Sequence, residues 1–174
     1  MRVDAFVKMP AITFSSALST FVGQNLGAFK EQRAKTGLKA TILFSTIYCI
    51  IITAIIVFGG NHIMSLFSAD PEVISIGEDY LVIVSSFYLM FSVMFSLTGF
   101  LRGAGATMIP MISTFTALYI IRIPAAKFLS QLMGVNGIWW AEPMGTFVGM
   151  IILLWYFRSE KWRGKVVVRK PSGN

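Results

Sequence analysis

Long apolar runs alternate with short polar connectors along almost the whole chain. A helix needs about 20 mostly apolar residues to cross a bilayer. Five stretches satisfy this and are predicted to be membrane-spanning helices: residues 5–28, 40–60, 80–101, 107–130 and 136–157. The pattern therefore predicts an all-α fold, a polytopic membrane helical bundle over residues 1–157, followed by a basic tail over residues 158–174.

One connector carries a helix start of its own. Asp70 is a capping acid, Pro71 suits the first helical position, and Glu72 adds a second acid in the first turn. We expect this helix to run on into the third predicted span. Lys8 lies near the start of the first span, where a long side chain can reach the membrane interface.

Composition supports the membrane assignment. Of the 174 residues, 55% are hydrophobic and only 13% are charged, whereas soluble domains carry about 25% charged residues. Basic residues concentrate in connectors 29–39 and 102–106 and in the tail, which fall on one side if the spans alternate. The positive-inside rule then predicts an external N-terminus and a cytoplasmic C-terminus in the plasma (inner) membrane. The net charge of +7 is thereby explained as a cytoplasmic anchor, and no nucleic-acid partner is expected.

The usual enzyme signatures do not occur. His62 is the one histidine and Cys49 the one cysteine, so a metal cluster or a Cys–His pair of the usual kind is not available. The sequence contains no phosphate-binding GxxxxGK[ST] and no GxSxG motif. We therefore predict that the chain is not an enzyme, and we predict no metal site.

Small residues recur every fourth position along the first span, and two more lie in the fifth. Residues four apart share a helical face, and small side chains let a neighbouring helix approach closely. The spacing predicts helix packing at Ala11, Ser15, Ser19, Gly23, Gly27, Gly145 and Gly149. A second interpretation stays open, in which the polar side chains beside this stripe face an aqueous cavity.

Arg122 and Glu142 are charges inside predicted spans, where a charge is costly and usually faces a partner or water. Each lies ten positions from residue 132, the middle of the turn between the fourth and fifth spans. An antiparallel hairpin would therefore bring them to matching depth as an intramembrane ion pair. Two alternatives remain: direct handling of a substrate or proton, and an unpaired Arg122 that reaches outward as Lys127 is expected to do.

Four segments resemble the multidrug and toxic compound extrusion (MATE) transporter family. They occur in the order expected for that family and are spread over nearly the whole chain. The segment WYFRSEKW (155–162) is similar to the C-terminal end of bacterial members. The matching segments are STFVGQNLGAFKEQRA (19–34), GFLRGAGATMIPM (99–111), YIIRIPAAKFL (119–129) and GIWWAEPMG (137–145).

The resemblance implies a twelve-span transporter with two six-helix lobes, of which this chain covers spans eight to twelve in the C-terminal lobe. No cofactor is implied. The coupling Na⁺ or H⁺ would be bound by carboxylates of the N-terminal lobe, which are not in this chain. The sodium-coupled branch also carries an Asp in the tenth span, and the matching position here is Phe91. A cation site in this lobe is therefore not expected.

The predicted function is part of a cation-coupled efflux antiporter that exports amphipathic, often cationic compounds by alternating access. The partners implied are the lipid bilayer, small amphipathic substrates and an N-terminal lobe or partner chain. The predicted cavity-lining residues are Gln24, Asn25, Ser85, Tyr88, Ser92 and Ser96. Two alternatives stay open: a flippase for lipid-linked saccharides from the same superfamily, and a truncated, non-transporting membrane fragment. The sequence reads like the later part of a longer protein.

Overall fold

In a computed structural model the chain is helical over most of the residues described, which are 2–66 and 69–165, with backbone alone for 2–7 and 61. Arg169 and Lys170 of the predicted basic tail lie outside the described residues. A π-helical segment, Thr116–Arg122, joins α5 to α6. The α-helices are α1 (Arg2–Gly27), α2 (Glu31–Ser65), α3 (Pro71–Ser85), α4 (Tyr88–Gly103), α5 (Met108–Phe115), α6 (Ile123–Met133) and α7 (Val135–Arg158).

Helices α1 and α4 are in backbone contact. A Cβ atom added at Gly99 would lie 2.3 Å from the carbonyl oxygen of Ser15, and one at Gly103 would lie 2.3 Å from that of Ser19. The Ser15 hydroxyl also donates a hydrogen bond to the Phe95 carbonyl at 2.7 Å. Glycine on α4 therefore creates the close approach that was expected from the small residues of α1.

The predicted helix start at Asp70 is confirmed. The Asp70 side chain accepts a hydrogen bond from the Glu72 backbone N–H at 2.9 Å, and Pro71 occupies the first helical position. Continuity with the third span is interrupted, because α3 and α4 meet at a 52° bend. The hydroxyls of Ser85 and Ser86 both donate to the Val82 carbonyl, at 3.2 and 2.8 Å. Serine hydroxyls that bond back to the preceding turn bend helices, which accounts for the break at this serine pair.

Helices α5 and α6, with the π-helical segment between them, form a hairpin with α7. Gly134 makes the turn at φ +62°, a value that glycine adopts without steric cost. The two arms touch closely, since a Cβ atom at Gly145 would lie 2.6 Å from the Ala117 carbonyl oxygen. The Ser113 hydroxyl donates to the Gly149 carbonyl at 2.8 Å. Gly145 and Gly149 therefore lie at the hairpin interface.

The buried core lies between α1, α2, α4 and α7, while large apolar side chains point outward from α2, α5, α6 and α7. Such outward apolar surface suits a lipid solvent. Within the described residues, three helical stretches are long and apolar enough to cross a membrane: 31–60, 108–133 and 135–158. Counting the bent α3–α4 pair as one span gives up to four. Helix α1 is not among them, and the five-span count stays a prediction.

The chain after α7 folds back as a short 3₁₀ turn, Lys161–Lys165. Trp162 is fully buried there, and its ring packs edge-on against Phe100 of α4 with 4.9 Å between ring centroids. Its indole N–H donates to the Phe157 carbonyl at 3.1 Å. Arg163 adds an ion pair with Glu31 at the start of α2, at 2.7 Å. This part of the predicted tail is therefore attached to the bundle.

Candidate functional site: a charged cavity between four helical segments

A cavity of about 250 Å³ opens between α1, α4, the π-helical segment with the end of α5, and α7. Each of these segments contributes side chains to its wall. Among the described residues that line it, three are charged: Lys8 from α1, Arg122 from the π-helical segment and Glu142 from α7. The remaining lining residues are mainly apolar.

Glu142 is the common partner of both cations. Its Oε1 is paired with the Lys8 ammonium, and its Oε2 accepts a hydrogen bond from Arg122 Nη2 at 3.2 Å. The Lys8 and Glu142 side chains are only 14% and 15% exposed, whereas that of Arg122 is 42% exposed. The structure thus brings the predicted pair Arg122 and Glu142 together and adds a third charge. Whether the pair is energetically coupled stays a prediction.

The π-helical segment has a local cause in the sequence. Pro124 lacks a backbone N–H, and its ring clashes with the carbonyl four residues earlier in a regular α-helix. A wider π turn immediately before it relieves that conflict, and such turns occur frequently at functional sites. Arg122 is the last residue of this segment. Pro124 therefore accounts for the irregular backbone that carries Arg122.

Lys8 was missed by sequence reasoning, which places it at the membrane interface. The structure instead turns its side chain inward, where it meets Glu142 and lies 5.3 Å from the centroid of the Phe91 ring. An inward cation within a span needs an anion or an aromatic face, and both are provided here. The one signal in the sequence was that Lys8 lies within a predicted span. The sequence did not show how deep in the membrane Lys8 lies relative to Glu142.

Aromatic rings form one wall of the cavity. Phe91 and Phe95, one turn apart on α4, are stacked with 4.3 Å between ring centroids and 27° between ring planes. In the family resemblance drawn from the sequence, Phe91 stands where the sodium-coupled branch is expected to carry an Asp. In this chain a ring lies there, with the Lys8 ammonium beside it.

The predicted cavity-lining residues are mostly elsewhere. Tyr88 alone borders a small cleft next to the cavity, together with Lys8 and Glu142. Ser85 lines a separate groove, whose wall on the α2 side includes Cys49, and its carbonyl accepts a hydrogen bond from Thr53 at 2.9 Å. Ser92 donates to Ser45 of α2 at 3.1 Å. These contacts belong to the packing of α3 and α4 on α2.

Gln24, Asn25 and Ser96 are likewise not brought to this cavity. Gln24 is exposed, and Asn25 donates back to the Phe21 carbonyl of its own helix at 2.8 Å. The Ser96 hydroxyl donates to the Ser92 carbonyl at 2.8 Å. Short polar side chains in helices satisfy themselves on the preceding turn, so their polarity does not indicate a cavity.

The small residues predicted for packing can also be placed. Ala11 and Ser15 are buried, Ser19 is half-buried against Gly103, and a Cβ atom at Gly23 would meet the Gly103 carbonyl oxygen at 3.5 Å. Gly27 is half-buried at the end of α1. No group of three or more His, Cys, Asp or Glu side chains in the described part of the chain is arranged to hold a metal ion.

A bundle of membrane-length helices with charged side chains around an internal cavity is typical of polytopic membrane transporters. The family model described as MatE matches residues 1–127. The chain therefore belongs to the MatE family.

Named relatives and a solved structure agree with this assignment. The chain is 26% identical over 93% of its length to the probable multidrug resistance protein YpnP of Bacillus subtilis. It is 25% identical over 98% of its length to the probable multidrug resistance protein NorM of Thermotoga maritima. A crystal structure of the eukaryotic MATE transporter AtDTX14 superposes with a TM-score of 0.83 at 23% identity and covers 92% of this chain. This chain spans 36–37% of the length of these relatives.

Proposed function

We propose that the chain forms part of a cation-coupled antiporter that exports small amphipathic compounds from the cell. In this mechanism two lobes rock against each other, so that a central site opens alternately to each side of the membrane. The chain would provide helices of one lobe, and the other lobe would come from a further segment or a partner chain. The coupling ion would be Na⁺ or H⁺, and no catalytic chemistry is proposed.

The charged cavity is the observation that carries this proposal. Three ionisable side chains from three different helical segments converge on it, within helices of membrane length. Ionisable side chains inside a membrane protein are costly to desolvate, and they mark substrate or ion pathways. The similarity to two relatives named as probable multidrug resistance proteins supports efflux as the activity.

The orientation belongs to the same proposal. We propose a plasma (inner) membrane location with the N-terminus outside and the C-terminus in the cytoplasm, on the basis of the basic connectors and tail. The exposed ion pairs between Arg163 and Glu31 suit an aqueous surface on that side.

A lipid-linked saccharide flippase gains some support from the second cation, Lys8, since such a cargo carries phosphate. A cavity of about 250 Å³ is nevertheless smaller than typical small-molecule sites, which span about 300–1,000 Å³. It suits one end of a small amphipathic compound better than a saccharide. We therefore favour efflux over a flippase. Expression of the chain with and without a second lobe distinguishes efflux from a non-transporting fragment.

A chimera tests the proposal. Replacing the matched 162-residue segment of YpnP with this chain should give a membrane protein that extrudes an amphipathic aromatic dye, either the cation ethidium or the anion fluorescein, from a pump-deficient bacterial strain. This chain expressed alone should extrude neither dye, because alternating access needs two lobes. A chimera that inserts and purifies as a single species, yet extrudes nothing, would contradict the proposal. Strong extrusion by the chain alone would contradict the two-lobe mechanism.

A further inference from the structure

We propose that the charged cavity binds the anionic end of an aromatic compound, a carboxylate or phosphate, with Arg122 as the anchoring residue. This assignment rests on the proposed export function and names the chemical class of the cargo at this site. It departs from the cationic cargo expected from the sequence.

The charges around the cavity favour an anion. Two cations and one carboxylate line it among the described residues, and the carboxylate is already engaged on both oxygens. A cationic ligand would have to displace Lys8 or Arg122 from Glu142 and would face the displaced charge. An anion can bind Arg122 through its other N–H donors without displacing either cation from Glu142.

Arg122 has the capacity to take the ligand. A guanidinium carries five N–H donors in a planar fork that matches carboxylate and phosphate oxygens. Its one recorded hydrogen bond within the described residues uses Nη2, and 42% of its side chain is exposed.

The aromatic preference follows from the apolar wall of the cavity. The stacked rings of Phe91 and Phe95 line the same cavity, with Met94 and Leu118 beside them. A planar aromatic ligand can pack against this apolar surface while its acidic group reaches the guanidinium. Offset and edge-to-face ring contacts are favourable beyond the burial of apolar area.

Matched probes test the inference on the full chain in phosphatidylcholine nanodiscs at pH 7. Isothermal titration calorimetry compares 2-naphthyl phosphate, 2-naphthylmethanol and 2-(aminomethyl)naphthalene, which share the ring and differ in charge. The phosphate should bind at least about tenfold more tightly than the alcohol, a difference of about 1.4 kcal/mol, and the amine most weakly. Arg122→Gln should remove the advantage of the phosphate. Lys127→Gln, which removes an exposed cation from α6, should leave it unchanged.

The three probes on the unaltered chain test the preference for an anion even if Arg122→Gln does not fold. Equal binding of phosphate and alcohol, no binding of any probe, or tightest binding of the amine would overturn the inference. Tightest binding of the amine would leave the proposed export function standing, since an exporter of cations needs such a site. Loss of phosphate preference in Lys127→Gln to the same extent as in Arg122→Gln would show a nonspecific charge effect and would also overturn it.

Discussion

Replacing Glu142 with leucine should destabilise the folded chain by about 3–5 kcal/mol, the usual result of removing one partner from a buried ion pair. The expected loss is large because Glu142 is paired with two cations, Lys8 and Arg122. Without the carboxylate, these two like charges face each other across the cavity. Arg122→Leu should cost clearly less, because the Lys8–Glu142 pair survives and the Arg122 side chain is partly exposed. The measurement is the unfolding free energy in detergent micelles.

The pattern of combined substitutions tests the three-charge arrangement. A simple Arg122–Glu142 pair predicts that the double leucine variant recovers much of the loss. The structure predicts that the double variant recovers only part of the lost unfolding free energy, because Lys8 still lacks the Glu142 carboxylate. Adding Lys8→Leu should recover more of it. Lys127→Leu is the matched control, because it removes an exposed charge. Equal losses from Arg122→Leu and Glu142→Leu that add in the double variant would refute the arrangement.

Replacing Trp162 with alanine should cost about 3–5 kcal/mol, as large aromatic residues do when a core cavity is left behind. Trp162 is fully buried and packs on both Phe100 and Phe157. The variant should also release the 3₁₀ turn from the start of α2, which hydrogen exchange of residues 159–165 would detect as faster exchange.

Trp155 provides the control for this prediction. It lies seven residues earlier, near the end of α7, and 66% of it is exposed. Trp155→Ala should therefore change stability little, within about 0.5 kcal/mol. Comparable losses from the two alanine substitutions would show that Trp162 does not attach the chain end to the bundle.

Much of the fold follows from local sequence signals. The start of α3 is determined by Asp70, Pro71 and Glu72, which act within one turn. The lengths and positions of the apolar runs predicted approximately where the long helices lie. The bend between α3 and α4 was not predicted, because it depends on where the hydroxyls of Ser85 and Ser86 bond. Gly99 and Gly103 carried a four-residue spacing that identifies them as the partner surface of α1, and this signal was available in the sequence.

The site was harder to predict because its residues are far apart along the chain. Arg122 and Glu142 belong to one hairpin, so counting from its turn was enough to place them at similar depth. Lys8 lies 134 positions from Glu142, and only the packing of α1 on α4 brings it there. The serine and asparagine side chains predicted to line a cavity bond to neighbouring helical turns or helices here, because such side chains bond within helices as readily as they face water.

Reaction of a cysteine inside the cavity with a membrane-impermeant thiol reagent tests the central claim, a water-accessible charged cavity within this lobe. Thr146→Cys, in a Cys49→Ala background, places a thiol on the cavity wall one turn from Glu142. Ile51→Cys, on the outward face of α2 where Ile51 is 53% exposed, is the lipid-facing control. The account predicts rapid labelling at position 146 and little at position 51. Labelling at position 146 as slow as at position 51 would contradict it.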